Sequence, residues 1–265
     1  MPIEDISAFN QQSPCQPPPH QAFRLGLTTG RRRAGPPCRA GIRGRRVAPC
    51  VPVHSVFALL AILLALTPFH SAAKPLPPPV QKQLKAGGFW HRGCPVPLSG
   101  LRLLTVSHRG FDGRTHTGQL IVNKRAARPL ARVFRKLYGL HFPIRHMRLA
   151  DFYGPRRGRP RDGDVTASFE CRQAVPSPCT GGRGTGTWSQ HAYGLAVDVN
   201  PVENPYVGCG QSRDRKARRY RDRSRHREGM VTPRAVAAFR SVGWGWGGAW
   251  AGNTKDYMHF SASGG

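Results

Sequence analysis

A short run of alternating residues, Gly194–Asn200, carries a carboxylate in the middle of a segment that otherwise has the pattern of a buried strand. Successive side chains of a strand point to opposite faces. The apolar face then consists of Leu195, Val197 and Val199. Asp198 lies on the other face, where a half-buried carboxylate needs a charged or hydrogen-bonding partner. The nearest imidazole is His191, so we predict a core on one face and a polar site on the other.

The end of the chain repeats this pattern in the segment KDYMHF. Met258 and Phe260 are predicted to face the core, and Tyr257 and His259 to face the opposite side. If this strand lies beside the first one, its imidazole can approach the polar face of that strand.

Neighbouring strands would bring His191, Asp198 and His259 together. Two imidazoles and one carboxylate, with a fourth position left for water, are the ligand set of a catalytic zinc ion. Zinc makes such a water molecule acidic enough to attack a carbonyl group near neutral pH. A second carboxylate must accept the proton, and Asp256, at the entrance of the last strand, is the candidate.

Each of these residues also has a purely structural interpretation. A single histidine is more often a hydrogen-bonding residue than a metal ligand. Asp198 could pair with one of many arginines, and Asp256 could be a turn or cap residue. Their joint arrangement favours the catalytic interpretation.

The spacing Ser189-x-His191-x-x-Gly194-x-Ala196-x-Asp198, followed by Asp256-x-x-His259, resembles the M15 family of zinc peptidases. These are D-alanyl-D-alanine carboxypeptidases and related cell-wall peptidases. The segments HAYGLAVDVNPVENPYV and GWGWGGAW are most similar to the carboxypeptidase-like subgroup. The resemblance extends over roughly Leu101 to Phe260.

This resemblance implies that His191, Asp198 and His259 bind Zn²⁺ and that Asp256 is the general base. Many relatives have glutamate at the position of the base. The family also has an arginine upstream of the first motif, and the matching residue is Arg172 in SFECR. A planar guanidinium can bind the terminal carboxylate of a wall peptide through two hydrogen bonds.

Two further residues of the motif region are candidates for substrate binding. Ser189 could orient the loop before the first histidine or contact substrate, and Tyr193 could donate a hydrogen bond to substrate or pack in the core. The tryptophans of GWGWGGAW could likewise stack on a ligand or pack beside the last strand.

The chain has 265 residues and a formal net charge of +28. Such a surface attracts polyanions, among them the anionic polymers of a bacterial wall. The densest basic run is Arg213–Glu228, which is either a solvated insertion or a surface that adheres to a polyanion. No nucleic-acid-binding module is recognisable, so no specific nucleic-acid partner is expected.

The chain divides into four parts by composition. Residues 1–53 are rich in Pro, Gly and Arg and are predicted to be disordered. Residues 54–73 contain the apolar run 56–66 and are interpreted as a signal peptide or short membrane anchor, with small residues at 71–73 as a cleavage site. Residues 74–100 are predicted to be a linker, and 101–265 the peptidase domain. A secreted or extracytoplasmic monomer is expected, and translation of residues 1–46 is left open.

The predicted fold class is α+β, a small, mostly antiparallel sheet with helices on one side. The runs Leu101–Val106 and Gln119–Val122 predict a hairpin. Helical spacing at 130–137 and the start signal Thr232-Pro233 predict two helices. The segment RLADFYG is interpreted as a short strand. The resemblance implies the zinc fold shared by Hedgehog proteins and D-alanyl-D-alanine peptidases.

Four of the seven cysteines follow the apolar run: Cys94, Cys171, Cys179 and Cys209. An oxidising compartment permits disulfides between them. Cys171 and Cys209 flank the predicted strand that carries Asp198, so we predict a bridge between these two and a second between Cys94 and Cys179. This is one of the three possible pairings of four cysteines.

Two classes of function are compatible with the sequence. The first is a secreted zinc peptidase acting on peptidoglycan stem peptides, at a terminal D-Ala–D-Ala bond or an internal L-Ala–D-Glu bond. The second is a non-catalytic basic protein that binds wall polymer on the same scaffold. A complete zinc set together with a separate base favours the enzyme.

Overall fold

The computed structural model describes residues 68–176, 186–212 and 214–264. The predictions for residues 1–53 and for the apolar run 56–66 therefore concern residues outside this part of the chain. Among the described residues, no helix has the length and apolar character needed to cross a membrane.

The described strands are short and pair antiparallel. In chain order they are β1 (Ser71–Pro75), β2 (Leu101–Arg109), β3 (Thr115–Asn123), β4 (Ala196–Asp198), β5 (Tyr206–Gly208), β6 (Gln211–Ser212), β7 (Gly245–Trp246), β8 (Thr254–Asp256) and β9 (His259–Ser261). The helices are α1 (Pro78–Ala86), α2 (Ala127–Gly139), α3 (Leu149–Tyr153) and α4 (Pro233–Arg240).

These strands form three small sheets with the orders β1-β2-β3, β4-β9-β7 and β6-β5-β8. Together with the helices they make an α+β protein, as predicted, but the strands form three small sheets rather than the single sheet that was expected. The predicted hairpin is β2 and β3, in which Leu101 pairs with Asn123 and Arg109 with Thr115.

Both predicted helices are confirmed. In α2 the residues at helical spacing, Leu130, Val133, Phe134 and Leu137, are buried. In α4 the Thr232 hydroxyl accepts a hydrogen bond from the Ala235 amide at 3.2 Å, which satisfies one of the free N–H groups at a helix start.

The main core lies where α2 and α4 pack on β2, β3 and the β4–β9 pair. Its largest fully buried members include Phe134, Phe239 and Phe260. The rings of Phe239 and Phe260 stack with centroids 3.7 Å apart. This contact attaches the last strand to α4 and thereby fixes the residues that precede Phe260.

The predicted linker at 74–100 is wrong. β1 pairs with β2 along its whole length, from Ser71 opposite Val106 to Pro75 opposite Arg102. α1 then buries Leu84 in a second core. A Pro-rich composition hid an edge strand and a helix that begins on prolines, both of which proline tolerates. The small residues at 71–73 lie within β1.

The segment RLADFYG is also not a strand, because it forms α3. The Asp151 carboxylate accepts a hydrogen bond from the Arg148 amide at 2.9 Å and so caps the helix start. Leu149 and Tyr153 pack into the second core. The hydrogen bond at the helix start favours a helix more strongly than the aromatic residues of this segment favour a strand.

The predicted disulfides are wrong as well. Cys171 is bonded to Cys94 across a sequence separation of 77 residues, which excludes the pairs Cys171–Cys209 and Cys94–Cys179. The loop after α1 folds back onto the second core, and the Cys171 amide donates to the Phe89 carbonyl at 3.1 Å. Cys209 is also disulfide-bonded, and Cys179 lies outside the described residues.

Asp164 and Glu203 form a buried acidic pair. Arg145 donates to Asp164 and to Glu203, both at 3.0 Å. Asp164 also accepts from the Val202 amide at 3.0 Å. Burial, followed by the neighbouring Glu203, raises the pKa of Asp164 from 3.8 to about 8. The folded protein therefore holds a proton at Asp164 that the unfolded chain releases at lower pH.

This proton predicts a pH dependence of stability. A carboxyl group with a raised pKa stabilises the folded state at low pH, and its contribution is lost as the pH rises from about 4 to about 8. We expect the urea-measured free energy of unfolding to fall over that range. Asp164→Asn should flatten the decline, and the exposed control Asp214→Asn should retain it. An unaltered slope in Asp164→Asn would contradict this assignment.

Candidate metal centre and its cleft

Three donor atoms converge at the edge of the β4–β9 pair. His191 Nε2, Asp198 Oδ1 and His259 Nδ1 are each 3.2 Å from the other two. We call these three residues the metal triad. Both imidazoles are buried, with 4% and 7% of their residue surface exposed. The sequence-based expectation that the three side chains converge therefore holds in the structure.

Strand pairing brings two of the three donors together. Asp198 lies directly opposite His259 in the register of β4 and β9. Directly opposed residues in an antiparallel pair have their Cβ atoms only about 4.5–5.5 Å apart. The carboxylate and the imidazole therefore lie close enough to bind the same metal ion.

A single turn of 3₁₀-helix, Gln190–Tyr193, places the third donor. The Ser189 hydroxyl accepts from the His191 amide at 3.3 Å and caps this turn. Gly194 ends it with a φ of 64°. A Cβ at this glycine would lie 2.6 Å from the Asn123 amide nitrogen. Glycine is therefore required both by the backbone conformation and by the close approach of β3.

The ring of His191 is oriented by a backbone group that the sequence motif does not contain. Its Nδ1 lies 2.5 Å from the Ser168 carbonyl oxygen. A carbonyl only accepts, so Nδ1 carries the hydrogen and Nε2 keeps its lone pair for a metal. Residue 168 is held in place because Ala167 and Asp198 exchange backbone hydrogen bonds of 3.1 and 2.9 Å.

The electrostatics of the metal triad are dominated by its own charges. Burial would raise the pKa of Asp198, but the two imidazoles outweigh it and hold the pKa well below its usual range. Burial would lower the pKa of His191, but the Asp198 carboxylate outweighs it and raises the pKa. The site therefore attracts positive charge, either protons or a cation.

The donor set fits a tetrahedral metal ion. Zinc bonds of about 2.0–2.1 Å in tetrahedral geometry separate ligand atoms by about 3.3 Å, and the observed separations are 3.2 Å. A second cluster, His91 with Cys94 and Cys171, also brings possible ligand atoms within 4.8 Å of one another. Its two sulfurs are joined in a disulfide, so it offers no thiolate.

Asp256 lines the same cleft as the metal triad. It ends β8, which pairs with β5 and places Asp256 opposite Tyr206. Its Oδ1 is buried and has no hydrogen-bond partner within the described chain. Burial, followed by the negative charge of Asp198, raises the pKa of Asp256 to about 7.

Arg172 also lines this cleft, but one edge of its guanidinium is engaged. Its Nε donates to Glu170 at 2.7 Å, and its Nη1 donates to the Gln173 carbonyl at 3.3 Å. The side chain is one-third exposed. Its terminal nitrogens can therefore meet a substrate carboxylate while Glu170 sets the plane of the group.

The other candidates divide between the cleft and the interior. Ser189 lines the cleft besides capping the turn. Tyr193 packs against the second core, and its carbonyl accepts from Asn123 at 2.9 Å; this position does not support a substrate contact. Met258, expected in the core, lines the cleft instead, since the chain turns between β8 and β9.

The tryptophans of GWGWGGAW have different environments. Trp244 is buried in the main core, and Trp246 packs against Phe260. Trp250 lines the cleft, with its ring centroid 5.7 Å from that of His259. Only the last of them can therefore contact a ligand in this cleft.

Sequence reasoning missed several cleft residues. Trp188 and Tyr206 line the same wall as Arg172, and Glu170 lines an adjoining cavity that also reaches His191 and Asp198. The signal for Glu170 was its position two residues before the arginine, which suits an ion pair. Nothing in the sequence indicates that Tyr206 faces the metal triad, because this follows from the β5–β8 pairing.

The comparisons with known proteins bear on the same segment. Residues 183–262 match a family model described as D-alanyl-D-alanine carboxypeptidase, of the M15 peptidases. The match includes the metal triad and Asp256, whereas Arg172 precedes it. No curated protein and no solved structure matches the chain. The family match confirms the resemblance to the M15 peptidases over residues 183–262.

The geometry makes the metal triad testable one residue at a time. Replacing His191, Asp198 or His259 by Ala should each weaken zinc binding by more than the roughly 10–100-fold that loss of an outer-shell partner costs. Elemental analysis after dialysis against a weak chelator measures this. The exposed control His226→Ala should retain its metal. Full zinc content in any triad variant would remove that residue from the set.

Proposed function

We propose that this chain, in which residues 183–262 match the M15 peptidases, is a secreted zinc-dependent peptidase that cleaves a peptide bond in peptidoglycan stem peptides. The D-alanyl-D-alanine carboxypeptidase reaction is our first choice. The observation that carries the proposal is the triangle of three donors, each 3.2 Å from the others. The same cleft contains a carboxylate oxygen of Asp256 that has no hydrogen-bond partner among the described residues.

His191, Asp198 and His259 would hold the zinc ion. When bound, zinc supplies Lewis acidity, which polarises a carbonyl group and makes water nucleophilic near neutral pH. The low pKa of the Asp198 carboxyl keeps this ligand ionised. The Ser168 carbonyl holds the hydrogen of His191 on Nδ1, which leaves the lone pair of Nε2 for the metal.

Asp256 is proposed as the general base. Its free Oδ1 accepts a proton from the attacking water as the new C–O bond forms at the scissile carbonyl. When the C–N bond breaks, the same carboxyl group passes this proton to the leaving amine. One water molecule is consumed and the products are a carboxylate and a protonated amine, so atoms and charge balance without any further reactant.

Arg172 is proposed to bind the terminal carboxylate of the substrate. Arg172 lines the cleft, and the bonds of its Nε to Glu170 and of its Nη1 to the Gln173 carbonyl hold the guanidinium in place. A charge-assisted pair of hydrogen bonds positions the last residue of the peptide relative to the metal triad. Trp250 offers an apolar surface beside the site.

A second reaction of the same class has one observation in its favour. Two cavities meet at His191 and Asp198, one containing Arg172 and the other containing Glu170 and Arg159. A peptide that continues on both sides of the scissile bond, as in cleavage of an internal L-Ala–D-Glu bond, could use both cavities. Mass spectrometry of purified wall fragments separates the two, since only the carboxypeptidase releases free D-alanine.

We further propose that the basic surface holds the enzyme near anionic wall polymers outside the cytoplasm. The net charge of the full chain, +28, reflects a strongly basic composition that would attract such polymers. Exposed charges are screened over about 8 Å at physiological ionic strength, so the attraction weakens as salt is added. A protein that binds wall polymer and releases no product would instead support a non-catalytic role.

Two variants separate chemistry from binding. Asp256→Asn keeps the shape of the side chain but cannot accept a proton, so kcat should fall by about 10²–10⁴-fold. Zinc content and KM should change little, because the ligands and Arg172 remain. Arg172→Ala should mainly raise KM for peptides with a free terminal carboxylate, with zinc retained.

The exposed Arg157→Ala is the matched control for the arginine and should leave both constants unchanged. Loss of zinc from Asp256→Asn would make this residue a ligand rather than a base. Muropeptide hydrolysis by Asp256→Asn at the parent rate would end the general-base assignment.

A further inference from the structure

A second basic cavity lies at the far end of the hairpin from the metal triad. The Asn123 amide, at the end of β3, donates to the Gly194 carbonyl beside the metal-binding turn at 2.9 Å. Thr115 begins the same strand eight residues earlier. At about 3.3 Å per residue this places Thr115 about 26 Å from that turn. Any ligand at the far end is therefore separate from the cleft.

This cavity, which we call the hairpin-end cavity, has a volume of about 680 Å³. Its lining combines two arginines, three histidines and hydroxyl groups. These residues are His70, Ser107, Arg109, Arg114, Thr115, His116, Thr117 and His141, together with Pro68 and Gly113. None of these described lining residues is acidic, so the cavity favours an anion.

Arg109 is the central group of the cavity. Its Nη1 donates to the Thr115 hydroxyl at 3.0 Å, and its guanidinium lies 4.5 Å from the centroid of the Tyr138 ring. Its Nε is buried and has no hydrogen-bond partner among the described residues. Within the same part of the chain, Arg109 forms no ion pair. The positive charge of Arg109 is therefore not balanced by a carboxylate of the described residues, which leaves it available to an anion that enters the cavity.

The nearest acidic group does not neutralise this arginine. Asp112, in the turn between β2 and β3, accepts from His116 Nε2 at 2.9 Å and from the Arg114 amide at 3.0 Å. These contacts fold the turn back on itself. Arg109, which lines the cavity, therefore has no ion pair with the carboxylate of the turn among the described residues.

The backbone around Arg109 is held on both sides. Arg109 pairs with Thr115 at the end of the hairpin, and its carbonyl accepts from the Ile144 amide at 2.8 Å. Tyr138, at the end of α2, contacts the Thr115 hydroxyl at 2.8 Å. The donors therefore lie on rigid elements, which lowers the entropy lost when a ligand binds.

We propose that the hairpin-end cavity binds the phosphate group of a phosphate ester. A guanidinium pairs with phosphate oxygens through parallel N–H bonds. The exposed Arg114 side chain adds a second guanidinium to the lining of the same cavity. A phosphate group offers several oxygens that can accept from more than one arginine, and the volume of about 680 Å³ leaves space for the group esterified to the phosphate.

The phosphate could be free or part of a phosphodiester polymer, and two probes distinguish these sources. Inorganic phosphate and a poly(glycerol phosphate) chain are titrated separately into the full chain, with binding followed by calorimetry at low salt. Acetate serves as the carboxylate comparison. Binding of phosphate alone assigns a site for the free ion, whereas tighter binding of the polymer assigns a site for the phosphodiester chain.

Arg109→Gln should weaken binding of the favoured probe by about tenfold or more, which is the loss expected for charge-assisted hydrogen bonds. Arg114→Gln is exposed and cannot disturb the core; it should weaken binding by a smaller factor. Arg132→Gln, on the exposed face of α2, is the matched control and should bind like the parent. Thermal unfolding and zinc content should stay unchanged in both exposed variants.

Three results would overturn the proposal. The first is a parent protein that binds neither probe. The second is equal binding by the parent, Arg109→Gln and Arg114→Gln, because the cavity would then contribute nothing beyond net charge. The third is acetate binding as tight as phosphate, which would assign a general anion site. None of these readouts depends on peptidase activity, so the proposal stands or falls separately from the reaction at the metal triad.

Discussion

The pairing of β4 with β9 is the constraint on which the rest of the site depends. It sets Asp198 opposite His259, and the stacked rings of Phe239 and Phe260 anchor the second strand to the core. The third donor follows from a different contact, because the Ser168 carbonyl orients His191. A core contact, a strand register and one backbone hydrogen bond together bring three donor atoms within 3.2 Å of one another.

Local patterns together with the resemblance to the M15 peptidases predicted the metal triad, and local patterns alone predicted much of the core. Alternation around Asp198 and His259 indicates two strands with polar faces, and their pairing needed only that the two be neighbours. The hairpin and the helices α2 and α4 were likewise predictable, because apolar periodicity and the cap at Thr232 are local signals. The α+β class follows from these elements.

What could not be predicted depends on long-range packing. The Pro-rich composition at 74–100 concealed an edge strand and a helix, since proline is compatible with both positions. The Cys94–Cys171 bridge follows from the return of that segment onto the second core, over 77 residues. Tyr193 packs against the second core because it lies in a 3₁₀ turn. Met258 lines the cleft rather than the core because the chain turns between β8 and β9.

The central claim is that the metal triad holds a zinc ion, and X-ray absorption at the zinc edge of the purified full chain tests it most directly. We predict one zinc ion per chain, bound by two imidazole nitrogens and carboxylate oxygen at about 2.0–2.1 Å, with no sulfur. A sulfur ligand at about 2.3 Å would instead assign the metal to a site that contains a cysteine thiolate. That result, or the absence of stoichiometric zinc, would contradict the account.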